Sequence, residues 1–309
     1  MPQEDKSRII VVCGPTAAGK TAFAIALARL AGGEIIGADS MQIYRHMDIG
    51  TAKPTAEERA QVPHHLVDFC DPADPFDAAT YTRLARETIG RLVRDGVVPL
   101  VVGGTGLYIK GLLGGLFPGP ASDCSVRNRL QQEAKREGTP ALYRQLETRD
   151  PETAARLHPN DTFRIVRALE VLAATGESIS RQQERHGFED APYHALKLGI
   201  SLERETLYRR IDHRCEAMLQ KGLIDEVERL LAMGYAPELK SMQSIGYRHA
   251  IDYLKGRTSM AETLRLFRRD TRRYAKRQLT WFRADPEVCW LSPTEPEKAA
   301  DMVRHFLGR

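Results

Sequence analysis

Gly14-Pro15-Thr16-Ala17-Ala18-Gly19-Lys20-Thr21 sets two glycines with four residues between them, the second directly ahead of a lysine and a hydroxyl. Small residues at this spacing let successive backbone N–H groups turn inward around an anion, and a helix starting at the lysine adds its positive end. Lys20 then places a point charge on a terminal phosphate, and the Thr21 hydroxyl is available as a ligand for Mg2+, the expected cofactor. A di- or triphosphate is the expected occupant of Gly14–Thr21. Asp39 is the second candidate. It stands just past Glu34–Ala38 (EIIGA), which reads as a strand, where open parallel sheets bind ligands. A carboxylate there suits a metal ligand, a general base or a turn cap. Kinases, nucleotide hydrolases and transferases share such loops, so ATP stays open as a ligand at this point.

These residues need a frame. Arg8–Cys13 (RIIVVC) reads as a buried parallel strand running straight into the glycine loop, and Ala22–Leu30 as the helix behind it. Ala79–Arg94 is amphipathic at helical spacing, and Val97–Val102 is a further buried strand ending in GGTGLYIKG. The polar segment from Asp39 to about Asp77 shows little periodicity. From Pro118 to Pro192 no strand-like run occurs, only short helical patterns broken by glycine and proline. His194–Leu202 reads as a strand that rejoins the sheet. Helices follow near Glu203–Gln220, Leu223–Met233, Arg248–Lys255 and Met260–Phe282. The expected fold is α/β: a parallel sheet of the phosphate-loop type flanked by helices, with a small all-helical insertion. Its expected division is 1–120 and 193–309 for the core, and 121–192 for the insertion.

Composition narrows the class. With 309 residues, 42% hydrophobic and 28% charged, the chain builds a large core and is not disordered. No apolar run spans a bilayer, MPQEDKSR is unlike a secretory signal, and five scattered cysteines without a CxxC pair fit a reducing cytoplasm. The cysteines are expected to be buried, and the paired histidines of PHHLVD to hold no metal. Charge is gathered: Arg265–Arg283 carries eight basic residues against Asp270 alone, while the whole chain nets +4. In that helix Leu264, Phe267, Thr271, Tyr274, Gln278 and Phe282 share one face, expected to pack on the core with Trp281, and the basic remainder suits an RNA backbone.

GPTAAGKT, DSMQIY (Asp39–Tyr44), MDIGTAKP (Met47–Pro54), PHHLVD (Pro63–Asp68), VGGTGLY (Val102–Tyr108), QSIGYR (Gln243–Arg248) and AKRQLTWFR (Ala275–Arg283) occur in this order and span nearly the whole chain. Together they closely resemble the bacterial tRNA dimethylallyltransferases (tRNA isopentenyltransferases). The resemblance implies transfer of a dimethylallyl group from its diphosphate to N6 of the adenine 3′ of the anticodon. It implies a diphosphate leaving group on Gly14, Pro15, Thr16, Ala17, Ala18, Gly19, Lys20 and Thr21, and Asp39 as the base. Ser40, Met41, Gln42 and Thr105 would face the target nucleotide. Arg127, the segment Phe163, Arg164, Ile165, Val166 and Arg167, and the segment Gln243, Ser244, Ile245, Gly246, Tyr247 and Arg248 would contact the tRNA anticodon stem-loop. Arg214 would help activate the diphosphate. The C-terminal Cys/His zinc pattern of some relatives is not found in this sequence. A cytoplasmic monomer without membrane association or obligate protein partner is expected. A phosphate-loop kinase, a non-catalytic RNA binder and a prenyltransferase acting on free adenine nucleotides are the competing readings.

Overall fold

The structure, a computed structural model, describes residues 6–115, 124–186 and 191–308. Its first strand, β1 (Ser7–Cys13), leads into α1 (Lys20–Ala31), β2 (Gly33–Ala38), α2 (Ala56–Gln61) and the two-residue β3 (His64–His65). There follow α3 (Ala78–Arg94), β4 (Val98–Gly103) and α4 (Gly106–Gly114). The next helices, α5 (Cys124–Glu137), α6 (Thr139–Arg149), α7 (Pro151–Ala155), α8 (Thr162–Thr175) and α9 (Ile179–His186), belong to a compact unit of their own, Gly114–Ala191. The first unit resumes with β5 (Tyr193–Ile200), α10 (Arg204–Gln220), α11 (Leu223–Ala232), α12 (Tyr247–Leu254), α13 (Met260–Arg283), β6 (Cys289–Leu291) and α14 (Pro296–Leu307).

Every strand pair is parallel, and the sheet order is β3-β2-β4-β1-β5-β6. Alternating side chains of one strand enter opposite layers, which is why both faces of β1 are apolar. Ile10 and Val12 join Phe23 and Leu27 of α1 and Val303 of α14 on one side. Ile9 and Val11 join Tyr81 and Ile89 of α3, with Leu207 and Ile211 of α10, on the other. The register sets Cys13 beside Gly103 and Gly103 beside Ala38. The three segments that follow these residues therefore leave the same edge of the sheet, side by side.

Several elements lie where no strand or helix was expected: α2 and β3 within the aperiodic stretch, and β6 and α14 at the end. Two expectations are corrected. Trp281 is 42% exposed rather than core, its indole lying across Gly106, whereas Phe282 is buried. Cys289 is exposed, while Cys13, Cys70 and Cys215 are buried; the side chain of Cys124 lies outside the described residues. The histidines of PHHLVD pair locally, His65 Nε2 with Glu34 at 2.6 Å and His64 Nδ1 with the Val62 carbonyl at 2.7 Å. Among the described residues no group of three or more His, Cys, Asp or Glu is placed to hold a metal, and no helix is long and apolar enough to cross a membrane.

In the helical unit Leu130, Leu142, Leu146, Ile165 and Leu169 form a separate core. Glu170 is fully buried beside it, and its Oε2 accepts from Arg127 at 2.9 Å and Arg167 at 3.2 Å.

Candidate active site

The glycine loop begins where β1 ends. Gly14 packs so closely on β5 that a Cβ there would stand 2.4 Å from the Ile200 carbonyl oxygen, so no larger residue fits without moving the backbone. Ala17 takes a left-handed φ of 64°, a strained state for alanine of the kind that collects at functional loops. α1 opens at Lys20 with Gly19 as its cap and no side chain capping it, leaving its first amides free for a ligand. The Lys20 ammonium donates to the carbonyls of Gly14 at 3.0 Å and Pro15 at 2.8 Å.

Asp39 follows β2. Its Oδ1 accepts the backbone N–H groups of Met41 at 2.9 Å and Gln42 at 3.3 Å, which fixes the carboxyl group in a tight turn. Its Oδ2 has no hydrogen bond among the described residues. Thr105 follows β4, and its hydroxyl accepts the Ser40 N–H at 3.0 Å, tying the Asp39 turn to the GGTG loop. Gln42 Nε2 donates to the carbonyls of Thr51 and Ala52. The MDIGTAKP segment is held in turn by the buried Lys53, which reaches the Tyr44 carbonyl, Asp48 and Asp68. It is also held by buried Glu226 of α11, which accepts from the amides of Asp48, Ile49 and Gly50 and from the Tyr247 hydroxyl. This explains PHHLVD and GTAKP as a scaffold for the Asp39 turn.

The electrostatics are those of an anion site beside a carboxylate. Burial pulls Lys20 down from 10.5 to about 8, Arg214 adding to the fall and Asp39 opposing it. Burial likewise lowers Arg214, with Asp39 again opposing. Burial, reinforced by the Asp39 carboxylate, pushes the Tyr274 phenol up, so it stays a neutral hydroxyl against Thr105 and Gln278. Lys20, Arg214 and Asp39 thus sense one another, and a bound anion replaces lost water for both cations. Thr21 and Arg214 line one cleft of about 580 Å³ together with Asp48, Lys53, Asp68 and Lys221.

Because Lys20 is charged below about pH 8 and neutral above it, kcat/KM, which reports the free enzyme, is expected to fall as pH rises through 8. In Lys20→Arg the guanidinium stays charged, so that limb should vanish whatever the absolute rate; a pH profile of both proteins checks it.

The family model for IPP transferase matches residues 42–285, and that for isopentenyl transferase matches residues 7–66. The tRNA dimethylallyltransferase of Desulfosudis oleivorans is 53% identical over 303 residues, covering 98% of this chain and 96% of that protein. The chain belongs to the tRNA dimethylallyltransferase family. The tRNA dimethylallyltransferase of Geobacter sulfurreducens is 50% identical, covering 98% of each chain. Among solved structures, the full-length tRNA isopentenylpyrophosphate transferase of Bacillus halodurans superposes with a TM-score of 0.74 at 38% identity, over 98% of this chain and 97% of that one. A eukaryotic dimethylallyltransferase acting on tRNA superposes with a TM-score of 0.82 at 26% identity, over 98% of this chain and 80% of that one.

Not every residue expected to meet RNA presents its side chain outward. Of the five residues 163–167, Phe163 is 79% exposed and Arg164 is exposed, Arg167 is half-buried, and Ile165 and Val166 point into the core of the helical unit. In QSIGYR, Gln243 is exposed and Arg248 half-buried, whereas Tyr247 is fully buried on Glu226. Arg248 pairs with Asp270 at 2.6 Å. Against the raising effect of burial, hydrogen bonds from Arg269, Arg248 and His249 hold that carboxyl well below its usual range. The basic face of α13 is largely neutralised along its first half. Arg265 pairs with Glu262, Arg268 with Glu216, Arg269 and Arg273 with Asp270, and Arg272 with Asp212. Lys276, Arg277 and Arg283 have no carboxylate partner among the described residues. Lys276 and Arg283 line a cleft of about 720 Å³ with Arg204 and Trp290.

Proposed function

We propose that the chain transfers a dimethylallyl group from dimethylallyl diphosphate to N6 of the adenine 3′ of the anticodon in tRNA, releasing diphosphate, with Asp39 as general base. The carrying observation is the state of Asp39: one carboxyl oxygen is anchored by two backbone amides and the other has no hydrogen bond among the described residues, at the end of β2, one strand across from the phosphate loop. N6 of adenine is a poor nucleophile because its lone pair is delocalised into the ring. The reaction joins N6 to the allylic carbon, breaks the carbon–oxygen bond with its electron pair going to diphosphate, and passes one N6 proton to Asp39. Lys20, Arg214 and the loop amides meet the charge that develops on the leaving oxygen. Ser40, Met41, Gln42 and Thr105 line the pocket for a base swung out of the anticodon loop.

The donors fit a Mg2+ ion held mainly by substrate. Thr21 lines the cleft, and among the described residues no group of three or more His, Cys, Asp or Glu is placed to hold a metal, so Thr21 would hold the ion together with diphosphate oxygens and water. When bound, the ion would neutralise charge on the diphosphate.

Arg127, Arg164 and Arg167, with exposed Phe163 beside them, are the RNA contacts of the helical unit, and Gln243 and Arg248 those of the main unit. Arg164→Ala with Arg167→Ala should raise the Kd for an anticodon stem-loop and flatten its log Kd against log [salt] slope by about 1–2. An unchanged slope in a salt titration would return these residues to a solvated helix face. The reading places the enzyme in the cytoplasm as a monomer.

Labelled dimethylallyl diphosphate incubated with anticodon stem-loop RNA and Mg2+ tests the function as a whole: label should appear on N6 of the target adenine. A parallel melt with dimethylallyl diphosphate at 100 times its Kd should gain about 2.7 kcal/mol. Label found only on free adenine nucleotides, or stabilisation by ATP alone with ATP turnover, would replace this reading.

A further inference from the structure

Gln278 is almost fully buried on α13, yet neither of its amide atoms lacks a partner. Its Oε1 accepts the Thr16 N–H at 2.8 Å and its Nε2 donates to the Gly104 carbonyl at 2.9 Å. Thr16 lies in the phosphate loop. Gly104 precedes Thr105, whose hydroxyl holds the Asp39 turn through Ser40. One side chain therefore joins the loop that would hold the leaving group to the loop that would face the nucleophile. The orientation of the amide is set by its partners, because an N–H must meet an oxygen and a carbonyl must meet the NH2 group. No other uncharged side chain of this length both accepts and donates in this way. The fit also accounts for Gly104, where a Cβ would stand 2.2 Å from Gln278 Nε2.

We infer that Gln278 is a positioning residue that couples the phosphate loop to the acceptor pocket, setting the distance between leaving group and incoming amine. It touches neither reacting group; it acts through Thr16 and through Gly104–Thr105. Two hydrogen bonds to backbone, a buried one to Gly104 and a part-buried one from Thr16, hold both loops to one rigid helix. Ordering of either loop by a ligand is then passed to the other, which is a coupling between two binding events. The Thr16 N–H, spent on this contact, is withdrawn from the anion, so the diphosphate falls to the later amides of the loop and to Lys20.

The inference rests on the reading of Gly14–Thr21 as a diphosphate cradle, and the probe is chosen so that the two can fail separately. Hydrogen exchange is followed in the whole protein with and without inorganic pyrophosphate and Mg2+, in the wild type, Gln278→Ala and Gln278→Met. Methionine keeps the volume and discards both bonds, so it serves if alanine unfolds. In the wild type, pyrophosphate should slow exchange in peptides covering residues 14–21 and also 103–108. In the variants it should slow the first alone, with pyrophosphate affinity within about threefold and kcat down about 30–100-fold, as an ångström-scale misplacement gives.

Variants that still protect 103–108, or that turn over like the wild type, overturn the inference. So do variants that lose pyrophosphate affinity in proportion to rate, or that both fail to melt cooperatively, since these make Gln278 a binding or purely structural residue. Wild-type protein with neither segment protected overturns the cradle reading and this inference with it. Protection of both segments without prenyl transfer keeps the coupling and discards the proposed reaction.

Discussion

Asp39→Asn is expected to lower the transfer rate about 10²–10⁴-fold, the range for removing a general base. Asparagine is the sharper replacement because its Oδ1 can still accept the Met41 and Gln42 amides, so the turn that carries the residue survives. Only the proton acceptor is lost. The sign of the binding effect separates this role from a structural one. Asp39 stabilises the charged forms of Lys20 and Arg214 and repels an incoming anion. Neutralising it removes that repulsion but also draws Lys20 further below about 8, so pyrophosphate affinity should be unchanged or raised only well below pH 7, where the ammonium keeps its proton. Single-turnover transfer together with pyrophosphate binding measures both. A variant transferring at the wild-type rate would end the assignment, and one that loses pyrophosphate binding would make Asp39 part of the anion or metal site.

Lys20→Met should cost about 2.7–4 kcal/mol of transition-state stabilisation, roughly 10²–10³ in rate, as for one lost oxyanion donor. The ammonium meets charge that appears mainly as the carbon–oxygen bond breaks, so kcat should carry more of the loss than substrate affinity. The folded state loses two hydrogen bonds to the carbonyls of Gly14 and Pro15 but is also relieved of a buried ammonium, and the two effects offset one another. Thermal melts that shift little beside a collapsed rate satisfy this expectation. A large loss of stability with a modest loss of kcat would instead make Lys20 a prop for its own loop.

The strands that carry the site were legible because burial on both faces writes a β-branched run, as in β1, β2 and β4. Asp39 was legible from its place past the end of β2 and Lys20 from the glycine loop after β1, whereas Thr105 came only from the family resemblance. β3 and β6, at two and three residues, are too short for any period to register. α14 carried signals that went unread, a proline in its first turn and Gly308 at its end. Gln278 was visible as the one amide on the core-facing stripe of α13, and a buried amide is a cue to look for two backbone partners. Its partners lie 262 and 174 residues away, beyond any local pattern. Glu226 was hidden for the same reason, since the amides it accepts come from Asp48, Ile49 and Gly50. The arginines of α13 misled in the opposite sense. Their density suggested one continuous polyanion surface, but Asp212 and Glu216 of α10 answer two of them, and that pairing needs the third dimension.

The order of the sheet has a bearing on synthesis. β1 is an inner strand whose one neighbour, β5, begins at Tyr193, paired with Ser7 at the other end of the register. On a ribosome, the first strand made waits through nearly two hundred residues with one row of amides and carbonyls uncovered, while the helical unit between can already close on its own core. An open strand edge of that kind recruits other chains. A nascent polypeptide halted before Tyr193 should accordingly depend on chaperones or precipitate, and release of the stall to let β5 emerge should restore solubility.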